Sequence, residues 1–314
     1  MKKEVITEKN PKSPISEVFR TLRTNIQFMN VNKKMKVLLL TSTFPNEGKS
    51  WVASNLAVTF AQAGKKVVLI DADMRKGRQY AIFGLSPKPG LSNFLSQAEI
   101  DENGELSEDV SGYVQATDVE NLYAITAGNV PPNPSELLVS AQMIRLLETL
   151  KNACDLVIID GTPSELVTDS VILSRLADST VIITAHKKTK KDALERVVKN
   201  IQNVGGKIAG VVINKMPISA KQYGEKYYYY GNDNNNKPEK SKTVRSRHNE
   251  ETYTENEKKI TELFKENKEE FSRNENNLLQ NDQLNSNETA KPLDKTNDIL
   301  KQINEYLENE KKQL

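Results

Sequence analysis

The sequence predicts an α/β fold with a mostly parallel sheet and helices on both faces, and three observations carry that prediction. Six short, β-branched apolar runs alternate with helical patterns between residues 37 and 214. Most are near-continuous in hydrophobicity rather than alternating, as strands covered on both sides must be. The first run leads directly into STFPNEGKS at residues 42–50, a loop and helix start suited to holding nucleotide phosphates.

Taken in order, residues 14–30 predict a helix. Ile15, Val18, Phe19, Leu22, Ile26 and Met29 recur there at helical spacing, with Ser13 placed to cap. Strands are predicted at 37–42 (VLLLTS), 67–71 (VVLID), 122–126 (LYAIT), 156–160 (LVIID), 180–184 (TVIIT) and 208–214 (IAGVVIN). Helices are predicted at 49–63, 134–151, 165–177 and 189–204. In the second of these, Asn133, Pro134 and Glu136 stand at N-cap, first-turn proline and capping-box positions. Residues 98–120 are polar and predict a surface excursion.

Composition divides the chain near Gly231 into a domain at 1–231 and a tail at 232–314, where Asn, Lys and Glu displace aliphatic residues. Such a tail cannot bury enough apolar surface to fold alone and is predicted to be largely disordered. Two apolar islands, Ile260 to Phe271 and Ile299 to Leu307, read as transient helices or as a partner-docking helix.

A formal charge of +2 argues against nucleic acid or an anionic membrane as a global partner. The single cysteine, Cys154, excludes an intrachain disulfide or a multi-cysteine metal site and fits a cytoplasmic location; it reads as a small buried residue opening a strand. The charged N-terminus has no apolar signal region after it, and no run reaches the roughly 18 apolar residues that span a bilayer. Membrane association is therefore expected through a partner. His186 and His248 lie outside every motif, so histidine catalysis is not expected.

In the phosphate loop, Gly48, Lys49 and Ser50 open a helix, with Asn46, Glu47 and Trp51 completing the cradle. Lys49 is suited to neutralising β and γ phosphate charge, and the Ser50 hydroxyl to binding magnesium. The loop departs from the usual P-loop at Thr43, which replaces its first glycine. It departs again at Asn46, a residue type that tolerates left-handed backbone, and at Trp51, which offers a backbone amide but no hydroxyl. Two apolar runs end in carboxylates at one sheet edge, giving Asp71 with Asp73, and Asp160. Either end alone is explained by helix N-capping; together with the loop they form a magnesium–ATP constellation.

On these residues the chain resembles the bacterial protein-tyrosine kinases, the BY-kinases of capsular and exopolysaccharide operons, over about residues 13–231. Asp71, Asp73 and Arg75 match the D-x-D-x-R motif of that family, Asp160 and Pro163 its Walker B, and GNVPPNPSELL at 128–138 a segment typical of it. The resemblance implies a P-loop NTPase-like fold and an ATP- and magnesium-dependent tyrosine autokinase that regulates polysaccharide synthesis and export. It implies that Lys49 and Ser50 hold phosphate and metal, that Asp73 and Asp160 complete the metal site, and that Asp71 is the base. The last two roles of Asp71 and Asp73 are interchangeable at this level. Asn214 corresponds to a place where related ATPases recognise adenine, a turn-forming role being the alternative.

Glu17, Arg20 and Arg23 form E-x2-R-x2-R on one helical stripe, by composition a solvated face and by resemblance a subunit contact in a homo-oligomeric ring. Tyr223, Tyr227, Tyr228, Tyr229 and Tyr230 are either an adhesive tyrosine-rich loop or, by resemblance, acceptors phosphorylated by a neighbouring subunit. Each phosphate adds roughly −1.5 to −2 charges, enough in a cluster to drive a ring apart. The resemblance also implies a transmembrane activator of the polysaccharide co-polymerase type, a cognate tyrosine phosphatase, and a cytoplasmic location at the inner face of the membrane. About 80 residues follow the cluster, where such chains commonly stop. Two alternatives are a partitioning-type ATPase, disfavoured by Phe44 where those proteins carry lysine, and a non-enzymatic nucleotide-binding scaffold, suggested by Trp51 and the tail.

Overall fold

The computed structural model describes residues 5–29, 35–101 and 106–217. Tyr223, Tyr227, Tyr228, Tyr229, Tyr230, His248 and the tail at 232–314 lie outside the described residues. In chain order the elements begin with α1 (Ile6–Lys9), α2 (Pro14–Met29), β1 (Val37–Ser42), α3 (Lys49–Gln62), β2 (Val67–Asp71), α4 (Gln79–Phe83) and α5 (Leu91–Gln97). A 3-10 turn at Val110–Tyr113 leads to β3 (Gln115–Ala116), β4 (Leu122–Ile125), α6 (Pro134–Val139), α7 (Ala141–Ala153) and β5 (Leu156–Pro163). The described chain closes with α8 (Asp169–Leu176), β6 (Ser179–Ala185), α9 (Lys191–Asn203) and β7 (Ile208–Asn214).

The sheet has seven strands in the order β3-β4-β2-β5-β1-β6-β7. All pairings are parallel except β3 with β4. Residue parity divides its core. Val37, Leu39, Val68, Ile70, Val157 and Ile159 pack with α5, α6 and α7 on one face, while Leu38, Leu40, Val67, Leu69, Leu156 and Ile158 pack with α2 and α3 on the other. Burying each such side chain contributes roughly 1.5–3 kcal/mol. A strand buried on both faces has no reason to alternate polar residues, which is why these runs are continuously apolar.

Four expectations need correction. The helix expected at 134–151 is two helices, because Ser140 breaks it and its Oγ accepts from Met143 N at 3.3 Å to cap α7. The capping box at Asn133 does not form: Asn133 Nδ2 donates to the Glu136 carboxylate at 3.2 Å and caps no backbone amide. The helix expected at 165–177 starts at Asp169. Within 98–120, Ala98, Val110, Tyr113 and Val114 are buried in the core rather than displayed on the surface. Ser13, by contrast, accepts from Ser16 N at 3.0 Å as its position requires. Cys154 follows α7 at the entrance to β5; burial pushes its thiol up to about 12.

Among the described residues no helix is long and apolar enough to cross a membrane.

Candidate functional site

The strand order sets β2, β5 and β1 side by side, so their C-terminal ends present Asp71, Asp160 and the phosphate loop along one edge. Asp71 and Asp160 are register partners on adjacent strands, and both are fully buried. Parallel strands bring their ends to one side, and that is where α/β folds gather ligand groups.

The loop from Thr43 to Gly48 is tied down by its own side chains and by β6 and β7. Glu47 is buried, and its carboxylate accepts from Phe44 N at 2.8 Å and from the Thr189 hydroxyl. Asn214 Nδ2 donates to Glu47 O at 2.8 Å. Glu47 therefore braces the loop with its side chain and meets the site through its main chain. Asn46 and Gly48 have φ of 64° and 97°, the left-handed conformation expected at Asn46 and free of penalty at glycine. A Cβ on Gly48 would lie 2.1 Å from Asn214 Nδ2, so Asn214 packs on the loop as well as ending β7.

Three oxygens surround the Lys49 ammonium: Asp160 Oδ1 at 2.6 Å, Ser50 Oγ at 3.4 Å and Asp73 Oδ2 at 4.0 Å. Burial by itself would lower the Lys49 pKa, but the charges of Asp160 and then Asp73 outweigh it and raise it. Burial also pushes the Asp73 carboxyl up, with Lys49 opposing and Asp160 adding. For Asp71, burial first and the charge of Asp160 second push the carboxyl up to about 7, against hydrogen bonding from Gln79 and the charge of Lys49. Asp71 Oδ2 accepts from Arg78 N at 2.7 Å and Gln79 N at 2.9 Å.

These oxygens also test whether the residues suit magnesium. A hydroxyl and two carboxylates converging on one cationic group form a hard oxygen set of the kind Mg²⁺ takes alongside phosphate oxygens. The fit is good. A cleft of about 250 Å³ opens beside them, lined by the loop from Pro45 to Trp51 and by Asp73, Arg75, Arg78, Ile82, Thr162, Pro163 and Leu166.

Several roles had no signal in the sequence. Gln79 is fully buried and hydrogen-bonded to Asp160, although an isolated glutamine eight residues past Asp71 advertises nothing. Arg75 pairs with buried Asp169 at 3.2 Å, and Asp169 also accepts from Ser135 Oγ at 2.6 Å, tying the D-x-D-x-R segment to α6 and α8. The Trp51 ring meets Phe19 edge-on at 5.2 Å, which makes the departure at this position a packing residue between α3 and α2.

The stripe at 17, 20 and 23 is not uniform. Glu17 pairs with Arg20 at 2.8 Å, and Arg20 also donates to Pro11 O. Arg23 turns inward and donates to Thr59 O of α3 at 2.6 Å.

The chain is similar to known proteins in sequence and in fold. A family profile described as an AAA domain matches residues 46–212. Tyrosine-protein kinase YwqD of Bacillus subtilis is 39% identical over 229 residues, covering 73% of this chain and 92% of that protein. The crystal structure of the chimerical protein CapA2B2 is similar with a TM-score of 0.63 and 37% identity, over 69% of this chain and 93% of that one. The kinase domain of Escherichia coli tyrosine kinase ETK gives a TM-score of 0.62 at 29% identity, over 69% and 84%.

Proposed function

The chain belongs to the bacterial protein-tyrosine kinases, and from that premise we propose that it is an ATP- and magnesium-dependent autokinase acting on its own tyrosine cluster. The observation that carries this reading is the convergence of Asp160, Asp73 and Ser50 on the Lys49 ammonium beside a phosphate loop. Backbone amides of Asn46 to Trp51 hold the phosphates, and Lys49 leaves Asp160 to neutralise the β and γ oxygens. Ser50, Asp73 and Asp160 would hold magnesium, which would supply charge neutralisation to the phosphates. Asn214 keeps one amide hydrogen and one lone pair beyond its loop contacts for the adenine edge.

In the transfer, the tyrosine oxygen bonds to the γ phosphorus, the bond to the β-phosphate oxygen breaks, and ADP leaves. Asp71 receives the phenolic proton, a role supported by a carboxyl raised to about 7. A second reading exchanges Asp71 with Asp73, and one observation favours it: Asp73 lines the cleft whereas Asp71 is fully buried. Acceptors are Tyr223, Tyr227, Tyr228, Tyr229 and Tyr230 of a neighbouring copy, in a ring built through Glu17, Arg20 and Arg23. A transmembrane activator recruits the chain to the inner face of the membrane, a cognate phosphatase resets it, and the cycle regulates capsular or exopolysaccharide production.

Mass-spectrometric phosphosite mapping of the chain with ATP, magnesium and activator tests the reading. Phosphate on the cluster in wild type and none in Lys49→Met is the expected result; an unphosphorylated wild-type cluster overturns it. Asp71→Asn and Asp73→Asn, compared at saturating magnesium, separate the two bases, because only the base variant loses the acid limb of its rate profile.

A further inference from the structure

Gln79 is the first residue of α4, has no solvent exposure, and is bonded at every turn. Its Nε2 donates to Asp160 Oδ2 at 2.8 Å and to Ser50 O at 3.2 Å, and its Oε1 accepts from Ser54 Oγ at 2.8 Å. The amide has only one workable orientation. Flipped, its oxygen would face the Asp160 carboxylate and the Ser50 carbonyl, two acceptors with no proton to share. The side chain thus spans the end of β5 and the first turn of α3, touching the two residues that supply a carboxylate and a hydroxyl to the cation position. Asp160 Oδ1 faces Lys49 while Gln79 takes Oδ2, so the carboxylate cannot rotate freely.

We infer that Gln79 is a positioning residue for magnesium: it fixes the Asp160 carboxylate and the Ser50 turn in the relation that admits the metal with ATP. The inference rests on the assignment of Ser50 and Asp160 proposed above. A buried group that orients a metal ligand without touching the metal typically changes metal affinity by about 10- to 100-fold when removed. A glutamine that merely fills space would instead affect metal and nucleotide alike. Its backbone N–H, bonded to Asp71, is unaffected by side-chain substitution.

The test uses the full chain, a non-hydrolysable ATP analogue, and Mn²⁺ as a paramagnetic probe counted by electron paramagnetic resonance. Gln79→Met keeps length and apolar bulk while deleting the amide. It is expected to weaken Mn²⁺ binding in the analogue complex by about 10-fold or more, with analogue affinity in EDTA unchanged. The magnesium concentration for half-maximal phosphotyrosine formation rises with it, and the rate at saturating magnesium recovers. Ser54→Ala removes the bond to Oε1 together with the hydroxyl's own bond to Ser50 O at 2.6 Å, the other end of the Gln79 bridge, and shifts Mn²⁺ binding in the same direction by a smaller factor, so that an unshifted value still counts against the inference should the methionine variant not fold. A folded Gln79→Met with wild-type Mn²⁺ affinity overturns the inference, as does equal loss of Mn²⁺ and metal-free nucleotide binding. With the methionine variant unfolded, an unshifted Ser54→Ala overturns it too. Wild-type protein that holds no Mn²⁺ with the analogue overturns the ligand assignment itself, and the inference with it.

Discussion

Lys49 Nζ stands 2.6 Å from Asp160 Oδ1, with both side chains buried, so the two groups proposed to meet phosphate and metal are bonded to each other. The pair neutralises two charges that would otherwise be stranded away from water. Under the proposed function, nucleotide phosphate would take the ammonium and magnesium the carboxylate.

Breaking that pair from one side leaves a buried charge uncompensated, which costs roughly 3–5 kcal/mol. Lys49→Met is therefore expected to abolish phosphotyrosine formation and also to lower the urea midpoint of the nucleotide-free protein. Adding Asp160→Asn to Lys49→Met restores part of the midpoint and none of the activity. A double variant no more stable than Lys49→Met removes the pair from the stability account.

Asp71 gives the nucleotide-free protein a pH dependence whose sign is set by its raised carboxyl. A carboxyl that holds its proton more tightly when folded stabilises the fold at low pH. The contribution is complete below its ordinary value of 3.8 and is lost as pH rises through about 7. Asp73, also raised, adds in the same direction. The metal-free chain is expected to unfold at lower urea at about pH 8 than at about pH 5.5, and Asp71→Asn to narrow the difference. An unchanged difference in the variant rules out Asp71 as a source.

Gly48 combines a φ of 97° with a neighbour 2.1 Å from the place of a Cβ. Gly48→Ala must distort the loop or expel Asn214, and nucleotide affinity is expected to fall at least about 10-fold with backbone strain of roughly 1–3 kcal/mol. Asn46→Gly, where the chain is already left-handed at φ 64°, retains affinity. Isothermal titration with ATP analogue measures both, and equal losses would remove the loop geometry as their cause.

Arg20 and Arg23 are expected to separate in a way that composition does not suggest. Arg20→Ala acts at a half-buried ion pair within one helix, worth about 0–1 kcal/mol, and at an exposed bond to Pro11 O, and changes monomer stability little while weakening assembly. Arg23→Ala removes the bond to Thr59 O and lowers both. Light scattering alongside thermal unfolding distinguishes them; two variants with one profile would mean that the arginines share one role.

Much of this molecule was legible from apolar runs alone. The bounds of β1, β2 and β7 coincide with the runs at 37–42, 67–71 and 208–214: β1 and β2 are buried in the sheet and have a composition their neighbours lack, while β7, half-buried at the sheet edge, is bounded in sequence by Lys207 and Lys215. Asp71 and Asp160 stand out because they close such apolar runs, and Asp73 because it follows two residues after Asp71; the structure sets Asp160 and Asp73 beside Lys49. Gln79 and Glu47 were not, because their partners are remote: Asp160 is 81 residues from Gln79, and Thr189 is 142 from Glu47. The break at Ser140 was hidden for a different reason. Apolar periodicity continues through it from Leu137 and Leu138 to Met143 and Leu146, and only the cap bond reveals two helices. The tyrosine cluster was read from sequence and lies outside the described residues.

β5 is hydrogen-bonded to β2 on one side and β1 on the other, with Asp160 in register with Asp71 and Leu40. Ladders on both sides deny the strand ends sideways travel, so under the proposed function the centre would behave as a fixed station and the acceptor phenol would do the moving. On that proposal, the choice of acceptor would follow how far along the sequence each tyrosine lies from Pro217. Residues inserted between Pro217 and Tyr223 should redistribute phosphate among the tyrosines while ATP affinity stays constant.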